Sequence, residues 1–156
     1  DSREPYGRIR YSIDEDPLQI RKVGWVSDDK ADIGGHLYAD ADFAVCKRTG
    51  RSTSGVFLCM GGPDTFLPIQ AISRKQTAVS HSTPEAENVA ADLAVRTIGV
   101  PCLSLWDQIF ERDVVCLFHE DNAAMIQVCR TGHEPNMRHM GRTHRVYLHS
   151  LTELFK

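Results

Sequence analysis

A chain of 156 residues, 42% hydrophobic and 25% charged, fits one globular domain able to bury roughly two-thirds of its unfolded surface. Its formal net charge of -3 argues against a protein that holds nucleic acid by bulk charge, and no run approaches the ~18 apolar residues of a membrane span. Five cysteines spaced 13 or more residues apart, without a CxxC pair, suggest neither a zinc ribbon nor a redox motif, and their odd count and the apolar neighbours of Cys59, Cys116 and Cys129 read as reduced, buried thiols in an intracellular compartment.

The first residues, DSREPYGRIR, lack the apolar core of a signal peptide and an initiator Met, so the chain reads as a fragment or a processed piece. Residues 1 to 34 hold turn signals at DEDP and SDDKAD, and short strands are expected around RIRYSI and KVGWV. From Gly35 the signals sharpen. HLYADADFAV is a strand, KRTGRST a turn, and SGVFLCM a second strand closed by Gly61-Gly62-Pro63. FLPIQAISRKQ is a third strand, with Pro68 marking an edge or a bulge.

The period then changes. Thr83-Pro84-Glu85 supplies a capping hydroxyl, a proline at the first helical position and a first-turn acid. Ala86, Val89, Ala90, Leu93 and Ala94 recur at helical spacing. Gly99-Val100-Pro101 should break or kink that helix before Leu103, Trp106, Ile109 and Phe110 continue it. VVCLFHED reads as a central strand, NAAMIQVC as a short helix, and residues 143 to 155 as a last helix. Strands followed by alternating helix and strand predict an α/β fold, a mixed sheet flanked by helices.

Three acids stand where packing alone would not put them: Asp40 within a strand, Glu87 beside the apolar stripe of a helix, and Asp121 at the carboxyl end of a buried strand. Asp42 lies two positions from Asp40 and so on the same face. Singly, each has an ordinary reading: a strand-ending acid for Asp40 or Asp42, a helix-dipole partner for Glu87, a helix cap for Asp121. Jointly they suit Mg²⁺, which takes oxygen ligands, relieves carboxylate repulsion and, as a pair of ions, serves phosphodiester hydrolysis.

YADADFA, RSTSGVFL, SRKQTAVSHSTPEAENVAA and HEDNAAMI resemble, in order over residues 35 to 128, blocks of the ribonuclease H domain that ends the polyprotein of copia-type LTR retrotransposons. The family's blocks are similar to YSDADWAG, RSTSGYVF, SKKQxxVALSSTEAEYIAL and CDNQSAI. The resemblance implies a ribonuclease H-like, five-stranded mixed sheet over residues 35 to 156, with residues 1 to 34 connecting it to an upstream reverse transcriptase. It implies an endonuclease that hydrolyses the RNA strand of RNA/DNA hybrids during reverse transcription. Asp40, Glu87 and Asp121 would be its catalytic residues and metal ligands, holding two Mg²⁺ ions for which Mn²⁺ can substitute. Asp42 would support Asp40 or face the loop.

The family's last block, similar to RTKHIDIRYHFIRE, carries a fourth acid. Here the stretch is RHMGRTHRVYLHSL, which puts Gly141 or Val146 at that position according to the register, leaving His144, His149, Glu153 or water to complete the second ion's shell. Asn88 replaces an aromatic, and FLPIQAIS replaces PISW. One alternative is a catalytically degraded domain that only binds nucleic acid or shapes the polyprotein. Another, an integrase or transposase set of Asp40, Asp121 and Glu153, leaves Glu87 without a role.

Lys47, Arg48, Arg51, Arg74 and Lys75 are candidate phosphate contacts, for a hybrid read by shape and backbone. Residues 127 to 156 add a local basic surface, with Arg130, Arg138, Arg142, Arg145 and Lys156 against Glu134 and Glu153. Ser80-His81-Ser82 has no third group for a nucleophile pair. His139, His144 and His149 are five apart, not the i, i+4 of a helical zinc pair, so a structural or phosphate-facing role is expected.

Overall fold

The computed structural model describes residues 28–132, 137 and 139–155, together with the backbone of residues 8–11 and 20–23. The two strands expected near the start are β1 (Arg8–Tyr11) and β2 (Ile20–Val23), which pair with each other antiparallel. The main sheet is built from β3 (Gly34–Asp42), β4 (Thr53–Gly61), β5 (Phe66–Lys75) and β6 (Cys116–His119). Its order is β5-β4-β3-β6, with β3, β4 and β5 an antiparallel meander and β6 parallel to β3.

The fold is therefore a mixed α/β sheet flanked by helices, but among the described residues the sheet has four strands and not the expected five. The chain after β6 turns into helix, and β1 and β2 form a two-stranded sheet of their own. This leaves β6 as an edge strand, against the expectation of a central one. Cys116 and Phe118 join the core while Val115 and Leu117 face outward, so the apolar run is buried on one side only.

In β3 the alternation is regular: Leu37, Ala39 and Ala41 are buried and Tyr38, Asp40 and Asp42 are exposed. Pro68 does sit on an edge strand, and the register between β4 and β5 slips there, Leu58 facing Gln70 and Cys59 facing Pro68. The slip places Ile69 as the extra residue of a bulge, which spares the sheet the hydrogen bond a proline cannot give.

Helix α1 (Thr83–Ala94) is capped by Ser82, whose Oγ accepts from the Glu85 N–H at 3.3 Å. Ala86, Ala90 and Ala94 are fully buried, small enough to let the helix lie close on β3 and β4. The expected break does not occur. Instead a π-helical segment, Val95–Gly99, joins α1 to α2 (Val100–Phe110), and the wider turn absorbs Pro101. The resulting helical run of 28 residues is long and apolar enough by composition to cross a bilayer, yet its buried face is the cover of this sheet.

Two glycines make that cover possible. A Cβ on Gly99 would come within 3.0 Å of Leu37, and one on Gly35 within 1.7 Å of the buried Trp106 ring. Beyond β6, α3 (Ala123–Thr131) begins at Asn122, whose side chain accepts from the Met125 N–H at 3.0 Å.

The helix expected over 143 to 155 is shorter, α5 (Leu148–Leu154), and a separate turn of helix, α4 (Met140–Thr143), precedes it. Arg145 takes a left-handed φ of 59° between them. That break lets His144 turn toward α1 while Val146 enters a second core with Val128, Met137, Met140 and Leu151.

Candidate active site

The carboxyl ends of β3 and β6 lie side by side, because Tyr38 pairs with His119 in parallel register. Two residues further along each strand stand Asp40 and Asp121, both exposed. Since Asn122 caps α3, Asp121 is spared the capping role that its position also suited. Glu87 reaches the same place from α1. It is only 4% exposed, and its carboxyl accepts from the Ala41 N–H of β3.

Burial pushes the Glu87 carboxyl up to about 7, reinforced by the charges of Glu120, Asp40 and Asp121. The three sequence-predicted acids are thus neighbours at one end of the sheet. Glu120 is a fourth that the sequence reading passed over. Its signal was the pair of adjacent acids in HED closing an apolar strand. Burial raises the Glu120 carboxyl too, with Asp121 and Asp40 adding to the rise and the Asn122 N–H opposing it.

Tyr38, Asp40, Phe57, His119, Glu120 and Asp121 line a cavity of about 730 Å³. Its floor is ordered by ring contacts: Tyr38 stacks on His119 at 4.2 Å, and His36 Nδ1 lies 2.9 Å from His119 Nε2. Glu87 and Glu120 each keep one carboxylate oxygen, Oε2, out of solvent with no hydrogen-bond partner. An all-oxygen donor set with two such orphaned atoms fits a hard divalent cation such as Mg²⁺ or Mn²⁺. Among the described residues no three His, Cys, Asp or Glu side chains are already gathered closely enough to hold an ion. Asp40 and Asp121 are exposed and Glu87 is buried, so the acids reach this end of the sheet from different depths.

The positions proposed for a further ligand lie elsewhere. Val146 is buried in the second core, and a Cβ on Gly141 would meet the Tyr147 ring at 3.1 Å. His144 Nε2 is 2.9 Å from Glu85 Oε1, in a node where the same oxygen lies 3.1 Å from His139 Nε2 and Glu85 Oε2 accepts from the His81 N–H. His149 and Glu153 pair with one another at 3.3 Å on the exposed face of α5, with His149 beside Gly132 at the far end of α3. Glu153 therefore stands apart from Asp40 and Asp121, and it is Glu87 that joins them. Asn88 is fully buried, and its side-chain amide donates to the Pro84 carbonyl at 2.7 Å. Ser80 is also structural, its Oγ donating to Gln76 Oε1 at 2.9 Å.

No family model, curated protein or solved structure matches the chain. The site's chemistry is thus read from its own residues.

Asp42 ends β3 opposite Thr53, and Thr53 faces Lys75 of β5. The end of the sheet that carries the acids is therefore also the end that carries Arg74, Lys75 and the β3–β4 turn with Lys47, Arg48 and Arg51, all exposed. Lys75 Nζ lies 3.1 Å from Cys46 Sγ. Hydrogen bonding from the Thr49 side chain, then from Lys75, pulls that thiol down to about 6.

Proposed function

We propose that this chain is a divalent-metal-dependent ribonuclease of the ribonuclease H type, an endonuclease that hydrolyses the RNA strand of RNA/DNA hybrids. The observation that supports the reading is that Asp40, Glu87 and Asp121 lie toward one end of a mixed sheet, near enough for buried Glu87 to feel the charge of the other two. These three would hold two Mg²⁺ ions, or Mn²⁺ in their place. Bound there, the metal would supply an activated water and stabilise the leaving oxygen of a phosphodiester.

The chain's own contributions follow from position. Asp40 and Asp121 present exposed carboxylates from the strand ends, and Glu87 backs them from the helix, fixed by the Ala41 N–H. The basic rim of Lys47, Arg48, Arg51 and Arg74 would take the sugar-phosphate backbones, so substrate choice would rest on duplex shape and 2′-hydroxyls. In the setting the sequence resemblance suggests, the domain would act in the cytoplasm beside an upstream reverse transcriptase, residues 1 to 34 serving as the connection.

The test is cleavage of an end-labelled hybrid by the purified chain with Mg²⁺, with Mn²⁺ and with chelator, alongside RNA/RNA and DNA/DNA duplexes. Divalent-dependent cleavage of the hybrid alone is expected, and Asp121→Asn should abolish it because the amide cannot balance the cationic charge. A second reading is favoured by Gly141 and Val146 standing where the family's fourth acid would be: a degraded domain that only binds nucleic acid. Hybrid binding without divalent-dependent cleavage would establish that reading instead.

A further inference from the structure

Of the four carboxylates at the sheet's end, Glu120 is the one that motif position does not select, and its environment is the least explained by packing. Its Oε1 accepts from the Asn122 N–H at 2.9 Å. Its Oε2 is shut away from solvent without a donor. Among the described residues no lysine, arginine or histidine forms an ion pair with Glu120 or with Glu87. Glu87, 4% exposed, presents a second orphaned Oε2 to the same cluster.

A buried carboxylate oxygen without donor or counter-ion is costly, and chains normally avoid it by placing a hydroxyl, an N–H or a basic side chain beside it. Here two occur together, and the groups facing them are Asp40 and Asp121, further acceptors when ionised. What such a cluster of carboxylates lacks is positive charge. Asp40, Glu120 and Asp121 line one cavity together, and Asp40 and Asp121 are exposed, so the cluster borders solvent.

We propose that Glu120 supplies the fourth carboxylate of this site and binds a divalent cation through its free Oε2. The assignment rests on the metal-site reading given above and extends it. The ligand that the last block of the chain does not offer at Gly141 or Val146 comes from the residue next to Asp121. Asn122 then has two jobs: its side chain caps α3, while its N–H holds Glu120 Oε1 and leaves Oε2 for the ion.

The experiment is Mn²⁺ binding to the full chain, followed by titration calorimetry, for the wild type, Glu120→Gln and Asp40→Asn. The wild type should take up two ions. Glu120→Gln, which keeps size and removes charge, should keep one ion and weaken the other by about tenfold or more, a loss on the scale of disturbing a metal's supporting groups. In the metal-free state Glu120→Gln should melt higher than the wild type, because a like charge has gone, and it should gain less from added Mn²⁺. Two-ion binding unchanged in Glu120→Gln but lost in Asp40→Asn would overturn the role of Glu120 and leave the metal site standing. A wild type that binds no Mn²⁺ would overturn both.

Discussion

Glu85 and Glu87 stand two residues apart on α1, both buried, and their carboxyl groups are driven in opposite directions. Two residues on a helix span about 200° of rotation, so one faces the chain's C-terminal segment and the other the end of the sheet. Burial alone would raise both. At Glu85 it is outweighed by the His81 N–H and by His139 and His144, so the carboxyl lies below its ordinary value. At Glu87 nothing cationic answers, and Glu120, Asp40 and Asp121 push the same way as burial, to about 7.

The first prediction is a stability profile with a maximum. Glu87 binds its proton more tightly folded than unfolded, so the metal-free protein loses stability as pH rises from the ordinary value of 4.5 to about 7. Glu85 works the other way: its contribution is present above 4.5 and is lost as pH falls through its lowered folded value. Chemical denaturation in chelator should therefore show greatest stability near pH ~5. Glu87→Gln should flatten the decline toward neutral pH and leave the acid side intact. A wild-type profile that rises steadily from acid to neutral pH would contradict this account of Glu87.

A second prediction isolates the node that ties α4 to α1. Glu85→Gln removes the charge that receives His139 and His144 and leaves a buried imidazole facing an amide. The cost should be about 3 kcal/mol, the scale of breaking a buried charged contact from one side. Hydrogen exchange should rise first around Met140–Thr143 and Leu148–Leu154, while β3 and β4 stay protected. Equal loss of protection across the sheet would mean that the node holds the whole fold.

Local pattern made most of this architecture readable. The alternation in HLYADADFAV put Asp40 on an exposed face, Pro68 marked the edge strand, and the alanine spacing after Pro84 marked the face of α1 that covers the sheet. Where the reading missed, the cause lay in contacts remote in sequence. An apolar VVCLF is compatible with a central or an edge strand, and only the pairing of β1 with β2 and the helix after β6 decide it. Residues 143 to 155 keep a helical pattern, but with His144 held by Glu85 and Val146 in the second core the helix begins only at Leu148. Glu120 escaped for a related reason: nothing in HED tells which acid is starved of donors until Asn122 has capped α3.

A third prediction follows from that division. Placing an acid at Val146, one of the two positions where the resemblance would seek a fourth ligand, puts an unpaired charge among Val128, Met140 and Leu151. Val146→Asp should cost about 3 kcal/mol or more and should not increase divalent-dependent cleavage. Gly141→Asp meets the Tyr147 ring, an exposed side chain that can swing away, and should be milder. Thermal melts of the two variants, read beside their cleavage rates, check both statements. Rescue of activity by Val146→Asp would mean that the last segment reaches the carboxylates in the working enzyme.

The fourth prediction concerns how an acidic protein can hold a nucleic acid. Net charge is -3, but Lys47, Arg48, Arg51 and Arg74 sit exposed at the sheet's end, around acids that cations would neutralise. Binding should therefore need both the rim and the metal. Without the metal, the carboxylates repel the backbone that the rim attracts. Each rim residue that contacts a phosphate should add to the salt dependence of hybrid binding, and neutralising it should lower the slope of log affinity against log salt by roughly 0.7 to 0.9. The fourfold change to Gln should flatten the slope by up to about 3 and weaken hybrids of unrelated sequence alike, because phosphates carry no base information. Arg130→Gln, an exposed base at the end of α3, should leave the slope unaltered. Fluorescence anisotropy with Ca²⁺ as a non-catalytic ion, from ~50 to ~200 mM salt, gives all three slopes. An equal slope for the wild type and the fourfold variant would remove the rim from the binding surface and send the search to the basic stretch after Arg130.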